Sequence, residues 1–169
     1  NAHNRVITKN GGTYTITDTA TNLSNASFDK AGLSDDAASE TVVIGANNQD
    51  LTAIDLDATV TAINLNAKTG VILDMGNIGT RTITAGGGSY VVRDAATNLT
   101  NINLTANGNP NATSVTAVAA GNGEDLTGVA LDSDVGAIDL NGKTGVAMDA
   151  DNAHNRVITK NGGTYTITD

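Results

Sequence analysis

The chain opens and closes on the same eighteen letters: Asn1–Asp18 (NAHNRVITKNGGTYTITD) recurs without a substitution as Asn152–Asp169, 151 residues further on. A fold that accepts this must recreate one set of surroundings at a second place along the chain. Stacked repeats do so by construction, because each layer touches only its neighbours. The 151-residue unit is itself double. Arg5, Ile7, Thr8, Tyr14, Asp18, Asn22 and Leu23 return as Arg81, Ile83, Thr84, Tyr90, Asp94, Asn98 and Leu99, at an offset of 76. Residues 51–74 (LTAIDLDATVTAINLNAKTGVILD) return as 126–149 (LTGVALDSDVGAIDLNGKTGVAMD), at an offset of 75, which places one deletion between Leu99 and Leu126. The organisation expected is a first half-repeat over 1–76, a second over 77–151, and 152–169 as the start of the next repeat, all in one continuous solenoid.

Within each half the apolar letters alternate, the period of a half-buried strand. Tyr14 and Ile16 face one way and Thr13, Thr15 and Thr17 the other; the second half keeps Tyr90 and Val92 but lets the outward set drift to Ser89, Val91 and Arg93. Ile54, Leu56, Ile63, Leu65, Val71 and Leu73 likewise become Val129, Leu131, Ile138, Leu140, Val146 and Met148. The two halves stand in for an alignment, and both select the same inward residues. Strands are expected at 51–56, 60–65, 71–75, 81–85 and 89–93, punctuated by Gly, Asn, Asp and Lys-Thr-Gly at 68–70 and 143–145. Short, evenly spaced strands also suit an antiparallel sandwich. The tandem identity favours the solenoid, and no Pro- or Ser-rich linker separates the halves. The expected class is all-β, a parallel β-helix-like solenoid, with either three coils of roughly 25 residues or four of roughly 19 in each half, strands stacking about 4.8 Å apart. Asp18 and Asp94 read as N-caps of a single helical turn ending at Asn22 and Asn98. Segments 24–50 and 100–125 read as irregular, with Phe28 and Leu33 folded back over the stack and Ile102 and Leu104 inward.

Composition bounds the rest. Aromatic residues are 2% of the chain and the apolar fraction is 39%, so thin layers of Ile, Val and Leu must make the core. Nine basic residues face 18 acidic ones; without the duplicated tail (Arg156, Lys160, Asp169) the counts are 7 and 17, about −10 per repeat. A polyanion without a Lys/Arg patch argues against nucleic acid as a partner. There is no cysteine and no long apolar run, so membrane insertion is not expected. An acidic, cysteine-free β-rich chain fits a secreted bacterial repeat protein.

The segments YTITDTATNL (14–23) and YVVRDAATNL (90–99) resemble a motif of giant bacterial secreted and surface tandem-repeat proteins, in which a Tyr-x-Val-x-Asp-x-Ala-x-Asn-Leu strand–turn unit recurs in β-solenoid arrays. The resemblance covers about ten residues in each half. It implies an adhesin, matrix or surface-layer role and no catalysis.

Few residues carry a signal for chemistry. His3 and His154 are one repeat position with Gly79 between them, which suits a surface histidine better than a ligand or a triad member. Gly11-Gly12 and Gly86-Gly87-Gly88 lie between two strands and read as turns, not phosphate loops. The carboxylate pairs Asp55/Asp57 and Asp132/Asp134 would suit polysaccharide cleavage, yet Asp55 becomes Ala130 in the second half. Calcium is the cofactor question: Asp57, Asp74 and Asn77 return as Asp132, Asp149 and Asn152, and with Asp134 they are the candidate oxygen ligands. The calcium-roll consensus is missing, so the favoured reading gives these residues turn and capping duties and the protein no metal. An ice-binding Thr row starting at Thr13/Thr15/Thr17 would be broken by Val91 and Arg93. The function expected is a structural extracellular fibre or matrix element on the cell surface, its partner being itself, through end-to-end repeats or lateral packing. The alternative is an adhesin touching cells or glycans through 24–50 and 100–125.

Overall fold

The computed structural model describes residues 12–24 and 38–168. The fold is all-β, a parallel β-solenoid. Its strands are β1 (Thr15–Asp18), β2 (Ser39–Val43), β3 (Val60–Asn64), β4 (Val71–Leu73), β5 (Thr82–Thr84), β6 (Tyr90–Ala95), β7 (Val115–Val118), β8 (Ala137–Asp139), β9 (Val146–Met148), β10 (Val157–Thr159) and β11 (Tyr165–Ile167). Two four-residue helices, α1 (Met75–Ile78) and α2 (Ala150–Ala153), follow β4 and β9 at equivalent places. The chain divides into two compact units: Asn1–Ile72 with Gly76–Tyr90 and Leu104–Asn111, and Leu73–Met75 with Val91–Asn103 and Ala112–Asp169.

In the first unit one parallel sheet runs β1-β2-β3-β5. Its register steps from Thr17 to Thr41, then to Ala62 and to Thr82, each step being one coil. A second ladder joins Asp50 to Ile72, with Leu51 N–H on the Ile72 carbonyl and Val71 N–H on the Ser89 carbonyl. Because side chains alternate along a strand, every second residue enters the interior and stacks on its counterpart one coil away. Val42, Ile63 and Ile83 form such a row, all buried. Each such side chain withdrawn from water contributes about 1.5–3 kcal/mol, which lets a core almost without aromatic rings hold.

In the second unit the sheet order is β10-β8-β7-β6, with Leu73 of β4 at its far margin. The register steps run Arg93, Thr116, Ala137 and Val157. Step for step they match the first unit except in the first coil, from Arg93 to Thr116, which is shorter by one than the coil from Thr17 to Thr41. That coil overlaps the Leu99–Leu126 interval where the sequence places a deletion. The second ladder is formed by Asp125, β9 and β11. With these steps a half-repeat holds about three and a half coils, neither three nor four, and the whole repeat about seven.

Several expectations need correcting. Residues 51–56 form no strand: Leu51 and Leu56 are buried, but the chain between them turns, Leu56 makes a single antiparallel bridge to Ser24, and Ile54 is half-buried. Their counterparts Val129 and Leu131 are half-buried too, and so is Tyr14. Alternation therefore located inward residues well and misread corners as strands, since a corner can also point every second or third residue inward. Segments 24–50 and 100–125 are not irregular throughout; they contain β2 and β7, and Val42, Ile44, Leu104, Val115, Ala117 and Ala119 are buried, with Ile102 half-buried. Phe28 and Leu33 lie outside the described residues.

Candidate functional site

The most elaborate polar structure is a corner built twice. Arg81 is 8% exposed and spends its guanidinium on main chain. Nε donates to the Val60 carbonyl at 3.0 Å, Nη1 to Gly76 and Asn77 at 2.8 and 3.2 Å, and Nη2 to Leu56 and Asp57 at 3.1 and 2.9 Å. A guanidinium has five N–H donors in a planar fork, and these five bonds match that number. Arg156 repeats the pattern on Val135, Asp151, Asn152, Leu131 and Asp132. The arginine bridges its own α-helical corner to the corner one coil earlier. The string carries a signal for it: Arg5, Arg81 and Arg156 are three of only nine basic residues and share one repeat position.

Asn77 and Asn152, candidate calcium ligands by sequence, sit in the same corners and are buried. Asn77 Nδ2 donates to the Leu51 carbonyl at 3.0 Å; Asn152 Nδ2 donates to Leu126 and Val129, both at 2.8 Å. In both corners the Nδ2 group of the amide serves the main chain of the neighbouring coil. Asp149 precedes α2 and accepts from the Asn152 N–H at 2.7 Å, as an N-cap does. Asp74 directly precedes α1. Asp57 is fully buried, with Oδ1 accepting from Thr59 N and Oγ1; Asp132 Oδ1 accepts from Asp134 N at 3.0 Å, and Asp134 is exposed. The seven candidates are thus spread over turns and corners. Among the described residues no three His, Cys, Asp or Glu side chains gather where they could hold an ion.

The strand–turn motif forms a second repeated device. Asp18 Oδ1 accepts from Thr19 N and Asn22 Nδ2, both at 2.8 Å, and Asp94 Oδ1 accepts from Ala95 N and Asn98 Nδ2 at 2.7 and 2.8 Å. These aspartates are clasps across one turn. The short 3₁₀ helix Ala96–Asn98 has Ala95 at its N-cap, so the capping expected of Asp94 is displaced by one residue.

Asp55 is exposed whereas Asp57 is buried, so that pair does not line one cleft. Glu40, buried in β2 with Oε2 accepting from Thr59 Oγ1 at 2.8 Å, carried no sequence signal, because Val115 takes its place in the second half. His154 is exposed; His3 and Gly11 lie outside the described residues. Gly86–Gly88 forms the β5–β6 turn. A Cβ on Gly88 would collide with the Lys68 carbonyl, and one on Gly163 with the Lys143 carbonyl. A cavity of about 360 Å³ in the second unit is lined by Val129, Leu131, Asp149, Asp151, Asn152 and Arg156. The polar groups of Asn152 and Arg156 are turned to main chain there. Among the described residues no helix is long and apolar enough to cross a membrane. In comparisons with protein-family models, curated proteins and solved structures, the chain has no significant match.

Proposed function

We propose that the protein is a structural element of a long extracellular fibre or matrix, one stretch of a tandem-repeat β-solenoid of the kind found in giant bacterial surface and secreted proteins. The observation that carries this reading is the duplicated corner: Arg81 and Arg156, with Asn77 and Asn152, give their side-chain donors to main-chain carbonyls in the same pattern. Side chains that could do chemistry instead join coil to coil. Parallel ladders along the stack and rows such as Val42–Ile63–Ile83 make a body suited to bearing load. Outward Thr, Asn and Asp, with a net charge of −9, keep its surface wet.

The test is imaging and force spectroscopy of a chain holding several 151-residue repeats. Expected are thin filaments whose length grows in proportion to repeat number, with force peaks spaced by whole coils. Compact particles would overturn the reading. A glycan array and a cell-binding assay on the same material separate fibre from adhesin: saturable binding to one ligand would move the function to the adhesin.

A further inference from the structure

Two buried carboxyl side chains of the first unit meet at one hydroxyl. Glu40 is 1% exposed and Asp57 0%. Thr59 Oγ1 stands 2.8 Å from Glu40 Oε2 and 2.6 Å from Asp57 Oδ1. Drawn as donations from Thr59, the two contacts ask for two protons, and a hydroxyl carries one. With both acids ionised, one of them would turn its lone pairs onto those of the hydroxyl oxygen while shut off from water, a costly arrangement. The second contact therefore needs a proton supplied by a carboxyl.

The surroundings say which one. Asp57 Oδ1 also accepts from the Thr59 N–H at 2.9 Å, and donors converging on one oxygen favour its ionised form. Arg81, facing from the corner one coil later, gives Nη2 to the main-chain carbonyl of Asp57 at 2.9 Å, which brings its positive charge to that residue. Glu40 instead lies in β2 opposite Ile16 of β1 and Val60 of β3, both buried. Its place in the second half is held by an uncharged residue: Ser39-Glu40-Thr41 returns as Ser114-Val115-Thr116, whereas Asp57 is kept as Asp132. Among the described residues Arg81, Asp57 and Glu40 are the only buried Arg, Lys, Asp or Glu side chains, so a neutral Glu40 leaves the interior without net charge. The other acids of these elements reach solvent: Asp18 of β1 is half-buried and clasps its own turn, and Asp55 is exposed.

We propose that Glu40 keeps its proton at neutral pH and donates it to Thr59 Oγ1, which in turn donates to Asp57, so that two hydrogen bonds in series tie β2 to the turn before β3 and make that contact sensitive to pH. The proposal stands whether the chain serves as a fibre or as an adhesin. In the unfolded chain a glutamate gives up its proton near pH 4. A folded value raised above that one means that the stabilising contribution is fully present below about pH 4 and is lost as pH climbs through the folded value. Ionising Glu40 removes the second donor and leaves two buried anions to one arginine. The β2–β3 contact then loosens, while β7–β8, with Val115 in place of Glu40, has no such proton to lose.

Hydrogen exchange of the full chain, followed by mass spectrometry from about pH 4 to about pH 9, reads both contacts at once. Corrected for the intrinsic pH dependence of exchange, protection at Ser39–Val43 and Val60–Asn64 should fall relative to Val115–Val118 and Ala137–Asp139. The fall should be about tenfold for each pH unit between the unfolded and folded values. Glu40→Gln keeps the shape and a donor toward Thr59, and should flatten that fall and raise protection at neutral pH. Infrared spectroscopy gives a second readout that needs no variant to fold: the parent at neutral pH should show the carbonyl stretch of a neutral carboxylic acid, and a folded Glu40→Gln chain should lose it. Equal pH profiles for parent and Glu40→Gln, or a parent without the neutral-acid band, would overturn the proposal. So would protection at neutral pH that rises with calcium and falls with EGTA, since a cation would then hold the two carboxylates together.

Discussion

Replacing Arg81 with methionine keeps the apolar stem and removes all five donors at once. Asp57 keeps the Val60 N–H on its carbonyl, and Gly76 is exposed enough for water to replace the lost partner. The loss then falls on the carbonyls of Leu56, Val60 and Asn77, three buried residues that each give up a charge-assisted bond. At about 1–2 kcal/mol for each of these three acceptors, the cost is roughly 3–6 kcal/mol. Arg156→Met deletes the same five bonds at a corner where Arg156 is half-exposed and Asp151 exposed. Water can enter there, and the cost should fall to about 1–2 kcal/mol. Urea unfolding followed by far-UV circular dichroism reads both, compared as midpoints because repeat stacks unfold in more than one step. Equal midpoints for the two variants, or an Arg81→Met chain as stable as its parent, would falsify the account in which burial of the carbonyls sets the cost.

Gly88→Ala and Gly163→Ala should each lose about 1–3 kcal/mol, since the new methyl group meets main chain that cannot move aside, including atoms of Ala85 and Lys160 at 3.0 and 2.9 Å. The same denaturation assay checks it, and a neutral result at both positions would mean the strands sit further apart than described. Ala67 holds φ at 58° where the second half has Gly142 at 73°, so Ala67→Gly should stabilise by about 0.5–1 kcal/mol; a lower midpoint would contradict that strain. Burial pushes the Tyr90 phenol above its ordinary 10, while its hydroxyl donates to the Pro110 carbonyl at 2.8 Å. A raised folded value means that this contribution is fully present below pH 10 and is lost as pH climbs through the folded value. Tyr90→Phe should flatten that alkaline loss in a pH series of thermal melts, and an unchanged profile would assign it elsewhere. EGTA should leave the β-sheet dichroism intact, because among the described residues no three His, Cys, Asp or Glu side chains gather where they could hold an ion; a signal lost to EGTA and restored by calcium would return those corners to the metal reading.

The sequence by itself determined the repetition, and with it the class of fold. Identical eighteen-residue segments demand repeatable surroundings, and the shared inward set of both halves found Ile16, Leu56, Ile63, Leu65, Val71, Leu73, Val92, Ile138, Leu140, Val146 and Met148 correctly, all of them buried. Those features are legible because alternation and recurrence are properties of the string. The string also carries a deletion between the halves, which the coil registers place in the first coil of the second unit. It could not give the coil length, because a half-repeat divides as well into three coils as into four, and only hydrogen-bonded register chooses a length between the two. Nor could it separate corner from strand at 51–56, where apolar spacing is the same for both. The roles of Arg81 and Asn77 were decided by tertiary structure alone. Which carbonyls a polar side chain serves depends on the main chain that the neighbouring coil brings within about 3 Å, and that neighbour lies more than twenty residues away in sequence.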